Sequence, residues 1–188
     1  MRHRQLWLGI FVAVLCMAGA WTQANAADMS SVASVLNASV TRGEKELLSA
    51  AEAMPEDKYS FAPTSGEFKG VRTFGDQVKH VAAVNYILGA SILGEKSPVD
   101  VGGESGPTAI KSKAEIVKFA KDSYAYLHKA VDSINDKNML DPIKNPFWDA
   151  PSSRLELAVL AAQHQFDHYG QMVEYLRMNG IVPPASRQ

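Results

Sequence analysis

Apolar side chains recur at three- and four-residue intervals in four stretches of the chain, the spacing that places them on one face of a helix. The first stretch, residues 29–53, carries Val32, Val35, Leu36, Leu47, Leu48 and Ala51, with Gly43 interrupting its middle. Met54-Pro55 stops it, because proline disfavours helical geometry in the residue before it. The second begins at Thr73, where Thr73 and Asp76 form a cap, and runs to about Leu93. Phe74, Val78, Val81, Tyr86, Leu88 and Ile92 cover more than one of its faces, which predicts a central helix. Ser112 and Glu115 open the third with a capping box, and Ile116, Ala120, Ser123, Leu127, Val131 and Ile134 follow at nearly heptad spacing to about Asn135. Ser153 and Glu156 open the fourth, which ends at Asn179-Gly180 ahead of Pro183 and Pro184.

The first connection, 54–72, is rich in Pro, Gly and Ser and has no period; the second, 94–110, reads as flexible; the third, 136–151, is broken by Pro142, Pro146 and Pro151. Strand-like alternation is nearly absent and no repeat stands out. The expected fold class is all-α: a single four-helix bundle spanning residues 27–188.

Polar residues on the apolar seams change this picture. In the fourth stretch His164 and His168 lie four residues apart, one above the other on the face that carries Leu157, Leu160, Ala161, Gln171, Met172 and Tyr175. His80 falls on the central helix, with Asp76 and Gln77 one turn before it. Buried imidazoles need partners for their ring nitrogens. Neighbouring carbonyls, hydroxyls and water can provide them. A metal held between facing helices provides them for all three at once. Imidazole ligands suit zinc, nickel, iron or copper, and three histidines without a fourth side chain leave a position for water. The site predicted here is therefore His80, His164 and His168 around one divalent transition metal, zinc or nickel foremost. His128 lies at a seam margin beside Tyr124 and Lys129 and reads as a boundary residue.

Composition narrows the chemistry. Arg2, His3 and Arg4, the apolar run LWLGIFVAVLCMAGA and Ala24-Asn25-Ala26 have the form of a cleavable export signal over residues 1–26. The apolar run is short for a membrane span and nothing after Ala26 is long enough to be one. The expected location is periplasmic or secreted. Cleavage removes two of the 19 basic residues and none of the 20 acidic ones, leaving 17 against 20, or about −3. No basic stripe exists for nucleic acid. Cys16, the single cysteine, leaves with the signal, so the mature chain has no disulfide, thiolate nucleophile or sulfur ligand.

Spacing excludes several known centres. HQFDH is not H-E-x-x-H, since Gln165 stands where the catalytic glutamate would be. It is nearer H-x-x-E-H with Asp167 for the glutamate, but Asp167 projects away from the seam, as a solvated or supporting residue would. Glu-x-x-His pairs for a di-iron centre and C-x-x-C-H for covalent haem do not occur.

The phrases MPEDKYSFAPTSGEFKGVRTFGDQVKHVAAVNYILG and HQFDHYGQMVEYLRMNGIVPPAS resemble those of the DinB-like (YfiT-like) four-helix bundle proteins, over essentially the whole chain after the signal. In that family one histidine on the second helix and a His-x-x-x-His pair on the fourth bind a divalent metal, and His80, His164 and His168 match those positions. HYGQ matches the family's pattern of histidine, variable residue, glycine and glutamine, which implies a site-lining role for Gln171. The resemblance also implies dimerisation through helix faces. It brings in thiol-dependent transferase and isomerase activities, which an oxidising exterior disfavours. Metal-dependent hydrolysis or group transfer on a small molecule is the expected activity, with Tyr86 and Tyr175 as candidates to line the open face and Asp76 as a candidate partner for an imidazole. No catalytic residue is assigned. The alternative is a bundle in which the metal is structural or absent.

Overall fold

The computed structural model describes residues 30–187, so the export signal read over 1–26 lies outside the described residues. Four helices form where the seams predict: α1 (Val32–Ala53), α2 (Phe74–Leu93), α3 (Lys113–Asp132) and α4 (Arg154–Met178). Their starts are fixed by side-chain caps that satisfy otherwise orphaned N–H groups. Ser31 and Ser34 cap α1 reciprocally, and Ser112 and Glu115 do the same for α3. Thr73 and Ser153 accept from the N–H groups of Asp76 and Glu156. α1 therefore starts after Ser31 rather than at Met29. α2 ends on Gly94, which takes the left-handed conformation (φ 70°) that a side chain would resist.

α2 is buried nearly all round, as its apolar residues on several faces require, and packs on both α3 and α4. α1 packs on α4 and α3, and α1 and α2 lie diagonally opposite. Gly75 abuts Ile116 and Gly89 abuts Tyr126, so α2 and α3 run parallel. His80 meets His164 while Ile92 meets Arg154, so α2 and α4 run antiparallel. The order is up, down, down, up. A parallel α2–α3 pair needs a connection that returns along the bundle, and residues 95–112 do so. Gly106, at φ 82°, lies so close to Lys79 that a Cβ there would stand 2.9 Å from the lysine's own. The connection read as flexible is held against α2.

One expectation needs correction. Pro142–Lys144 (β1) and Pro151–Ser153 (β2) pair antiparallel, Ile143 opposite Ser152, as a small hairpin in the α3–α4 connection. Three-residue strands starting at prolines carry no alternation to read. No helix among the described residues is long and apolar enough to cross a membrane.

Candidate metal centre

His80 sits in the second turn of α2, a phase set by the Thr73 cap, and faces the middle of α4, where His164 and His168 stack one turn apart. The three rings meet edge to face, with centroids 4.5–4.9 Å apart. Their Nε2 atoms converge: His164 lies 3.0 Å from His80 and 3.1 Å from His168. His80 and His168 are buried and His164 is half-buried.

The surrounding hydrogen bonds decide which nitrogens carry protons. His80 Nδ1 lies 2.6 Å from the Glu104 carbonyl, which only accepts, so Nδ1 holds the hydrogen and Nε2 presents its lone pair. His168 is fixed by a longer chain. The Asp167 carboxylate accepts from Gln171 Nε2 at 3.3 Å, which turns Gln171 Oε1 towards Gln77 Nε2 at 2.8 Å. That turns Gln77 Oε1 towards His168 Nδ1, at 2.5 Å. His168 Nε2 is again a lone pair. Two lone pairs thus face His164 Nε2, which has at most one hydrogen to give. No arrangement of neutral rings satisfies all three.

Protonation does not resolve the conflict. Burial, and then the neighbouring His168 and His80, push His164 down to about 3. Burial, His80 and Arg72 push His168 down to about 4, and burial lowers His80 as well. A cation at the convergence does resolve it. Nitrogens bound tetrahedrally to one zinc at about 2.0–2.1 Å lie roughly 3.3 Å apart, close to the 3.0 and 3.1 Å that separate His164 Nε2 from the other two. The donor set suits a divalent transition metal, and it is the one such cluster of histidine, cysteine and carboxylate groups among the described residues. The Glu104 carbonyl and the Gln77 amide then do what supporting groups do around bound metals: they hold the ring orientation and the tautomer.

One side of the cluster is open. A cavity of about 260 Å³ reaches His164 and is lined by Val84, Glu104, Phe147, Trp148 and Leu160. Of the three long connections, 94–110 and 136–151 supply Glu104 and the two aromatic residues of this cavity.

The other singled-out residues fall into place around the cluster. Gln171 supports it one step removed, through Gln77, and Asp167 is the exposed end of the same chain. Asp76 does not touch an imidazole; it caps α2 through Thr73 and pairs with Lys79 at 3.0 Å. Gln77, its neighbour, has the phase that reaches α4. Tyr86 stacks between Phe119 and Tyr126 on the α3 side, and the Tyr175 hydroxyl donates to the Arg72 carbonyl, so neither lines the cavity. His128 lies on the α1–α3 face, with Asn37 Oδ1 at 2.6 Å and Glu44 Oε2 at 3.0 Å. Sequence reasoning missed Glu104, whose backbone oxygen has no signature. It also missed Phe147 and Trp148, whose signal was an aromatic pair in a proline-broken loop.

The sequence profile of the DinB superfamily matches residues 39–172, a span that contains all three histidines and the loops above them. This chain belongs to the DinB superfamily. Solved structures agree in fold. A DinB-like protein from Bacillus cereus ATCC 10987 superposes with a TM-score of 0.63 at 16% identity, covering 79% of this chain and 93% of that one. A DinB-like protein from Bacillus subtilis gives 0.61 at 16% identity, with 82% and 99% covered. A conserved protein from Enterococcus faecalis gives 0.63 at 14% identity, with 79% and 96% covered. At these identities the likeness is one of fold. No curated protein significantly matches the chain. The expected all-α DinB-like bundle is thus observed, and its three matched histidines form a group able to hold one ion.

Proposed function

We propose that this DinB-superfamily protein holds one divalent metal, zinc or nickel, on His80, His164 and His168, and acts outside the cytoplasm as a metal-dependent hydrolase or group transferase on a small molecule. The observation that carries the reading is the convergence of three neutral Nε2 atoms, two of them locked as acceptors, beside an open cavity. When bound, such a metal supplies Lewis acidity and lowers the pKa of a coordinated water to about 7. The chain's own contribution is positional. Glu104 and Gln77 keep the His80 and His168 rings from turning, and Phe147 and Trp148 shield the open side from bulk water.

A second reading is supported by the same rings. The cluster ties α2 to α4, so a metal there also clamps two helices otherwise joined by packing, the Gln77 bonds to Gln171 and His168, and the Arg154–Ile92 contact. The two readings separate on cobalt-substituted protein purified without an affinity tag. A visible spectrum that changes on adding azide supports the catalytic reading. An unresponsive cobalt, with thermal stability lost on its removal, supports the clamp. Protein without bound metal, showing no thermal shift with zinc or nickel, overturns both. Export is tested separately: the mature protein recovered from the periplasm or medium should begin at Ala27.

A further inference from the structure

The wall of the cavity opposite the helices comes from a loop, yet its geometry is fixed. Asn145, only 2% exposed, accepts the N–H groups of Phe147 at 2.8 Å and Trp148 at 3.3 Å through Oδ1. Its Nδ2 donates to Ser152 Oγ at 2.8 Å, which ties the turn to the β1–β2 hairpin. The buried Asn145 amide is thus satisfied within its own connection, which holds the two aromatic residues in place. Trp148 is nevertheless 47% exposed, so folding leaves about half of this residue uncovered. Facing these aromatics across the cavity are Val84 from α2 and Leu160 from α4, one turn before His164. The polar lining is confined to one end: His164, and Glu104, whose carbonyl is already taken by His80.

We infer that this cavity seats a flat apolar group, an aryl ring, carried by a small substrate whose polar group sits at the histidine end. The inference rests on the metal-centre reading and adds the substrate class to it. Three features select this class. At about 260 Å³ the cavity is just below the usual range for ligand pockets, roughly 300–1,000 Å³, so it takes a ring and a short polar head and no large ligand. Aromatic rings stack on aromatic side chains in offset or edge-on geometry, and Phe147 and Trp148 both line the cavity. The aliphatic Val84 and Leu160 close the other face without offering a hydrogen bond.

The test uses the full chain loaded with cobalt(II), titrated with acetohydroxamate and with benzohydroxamate and followed by visible absorption. The two probes share a metal-binding head and differ by the ring. Benzohydroxamate should bind about tenfold or more tighter, from the apolar area of the phenyl group. Trp148→Ala and Leu160→Ala should each pull that ratio towards one while cobalt stays bound. Equal affinities in the unsubstituted protein, or a ratio that neither substitution moves, would overturn the inference and leave the metal centre standing. If cobalt does not bind, the metal reading fails and the cavity is decided alone, by titrating phenol and following the indole N–H resonance of Trp148. A saturable shift then supports an aryl seat, and its absence overturns it.

Discussion

The two flanks of this bundle bury polar side chains in opposite ways. On the α1 flank most polar groups meet something that complements them, the buried Gln165 Oε1 excepted. His128 lies between the Asn37 amide oxygen and the Glu44 carboxylate, and Asn37 in turn donates to Asp132. Gln165, fully buried on α4, fills a notch in α1 that exists because residue 43 is glycine; a Cβ there would fall 2.1 Å from the Gln165 side chain. On the α2 flank the polar groups meet one another. His80, His164 and His168 turn lone pairs inward, and their outer nitrogens are spent on Glu104 and Gln77, leaving His164 Nδ1 without a partner. A histidine in a bundle is thus informative through the atoms its nitrogens face, more than through its burial. The first flank is closed as folded save for one amide oxygen, Gln165 Oε1. The second leaves a place that one cation could fill.

The sharpest way to break this contrast is to remove one ring from each flank. His164→Ala should abolish metal binding, against about one equivalent per chain in the parent, while His128→Ala keeps it; elemental analysis of the two proteins decides. Should both bind alike, the flanks do not differ as described. Next in size is the support behind His168. Gln77→Leu removes the acceptor that fixes its tautomer and should weaken metal affinity about 10- to 100-fold, read by competition with a chromophoric chelator. Gln171→Leu should have a smaller effect, because Gln77 can still accept without it.

On the α1 flank Gly43→Ala should destabilise the fold by about 1–3 kcal/mol through overpacking against Gln165, offset in part by alanine's better helix propensity, about 1 kcal/mol. Urea midpoints measure it. Gln165→Ala in the same chain should restore part of the loss, and metal affinity should change in neither.

The smallest expected effect concerns acid. In the metal-free protein His164 and His168 titrate at about 3 and about 4, below the ordinary 6.5 that they regain on unfolding. Between these limits the unfolded chain binds protons that the folded one refuses, so stability rises with pH across the window. It should fall as pH drops from about 6.5 towards 4, and His164→Leu should flatten the slope. Denaturant midpoints at several pH values check the sign.

Much of the α2 flank was legible before any coordinates. The i, i+4 spacing of His164 and His168 and the seam position of His80 depend only on helical period, and the serine and threonine caps set the phase of three helices. The direction of the helices was not legible. Nothing local says that α2 and α3 run parallel, because chain reversal is decided by where a long connection goes. Gln77 and Asp76 show the limit at finer scale. A one-residue step turns a helix by about 100°, which separates the residue that orients an imidazole from the one that caps a helix. The carboxylate was the more chemically suggestive of the two, and it faces the wrong way.

The carbonyl that grips His80 belongs to residue 104, yet the glutamate side chain plays no part in the grip. Any L-amino acid at that position offers the same oxygen. What has to be preserved is the path of the chain, and one tight point on that path is Gly106, where a positive φ and the close approach to Lys79 disfavour a side chain. Genetic tolerance around the site is therefore inverted from what chemistry suggests. The charged residue beside the histidine can change without loosening the hold on His80, and the glycine two positions later cannot.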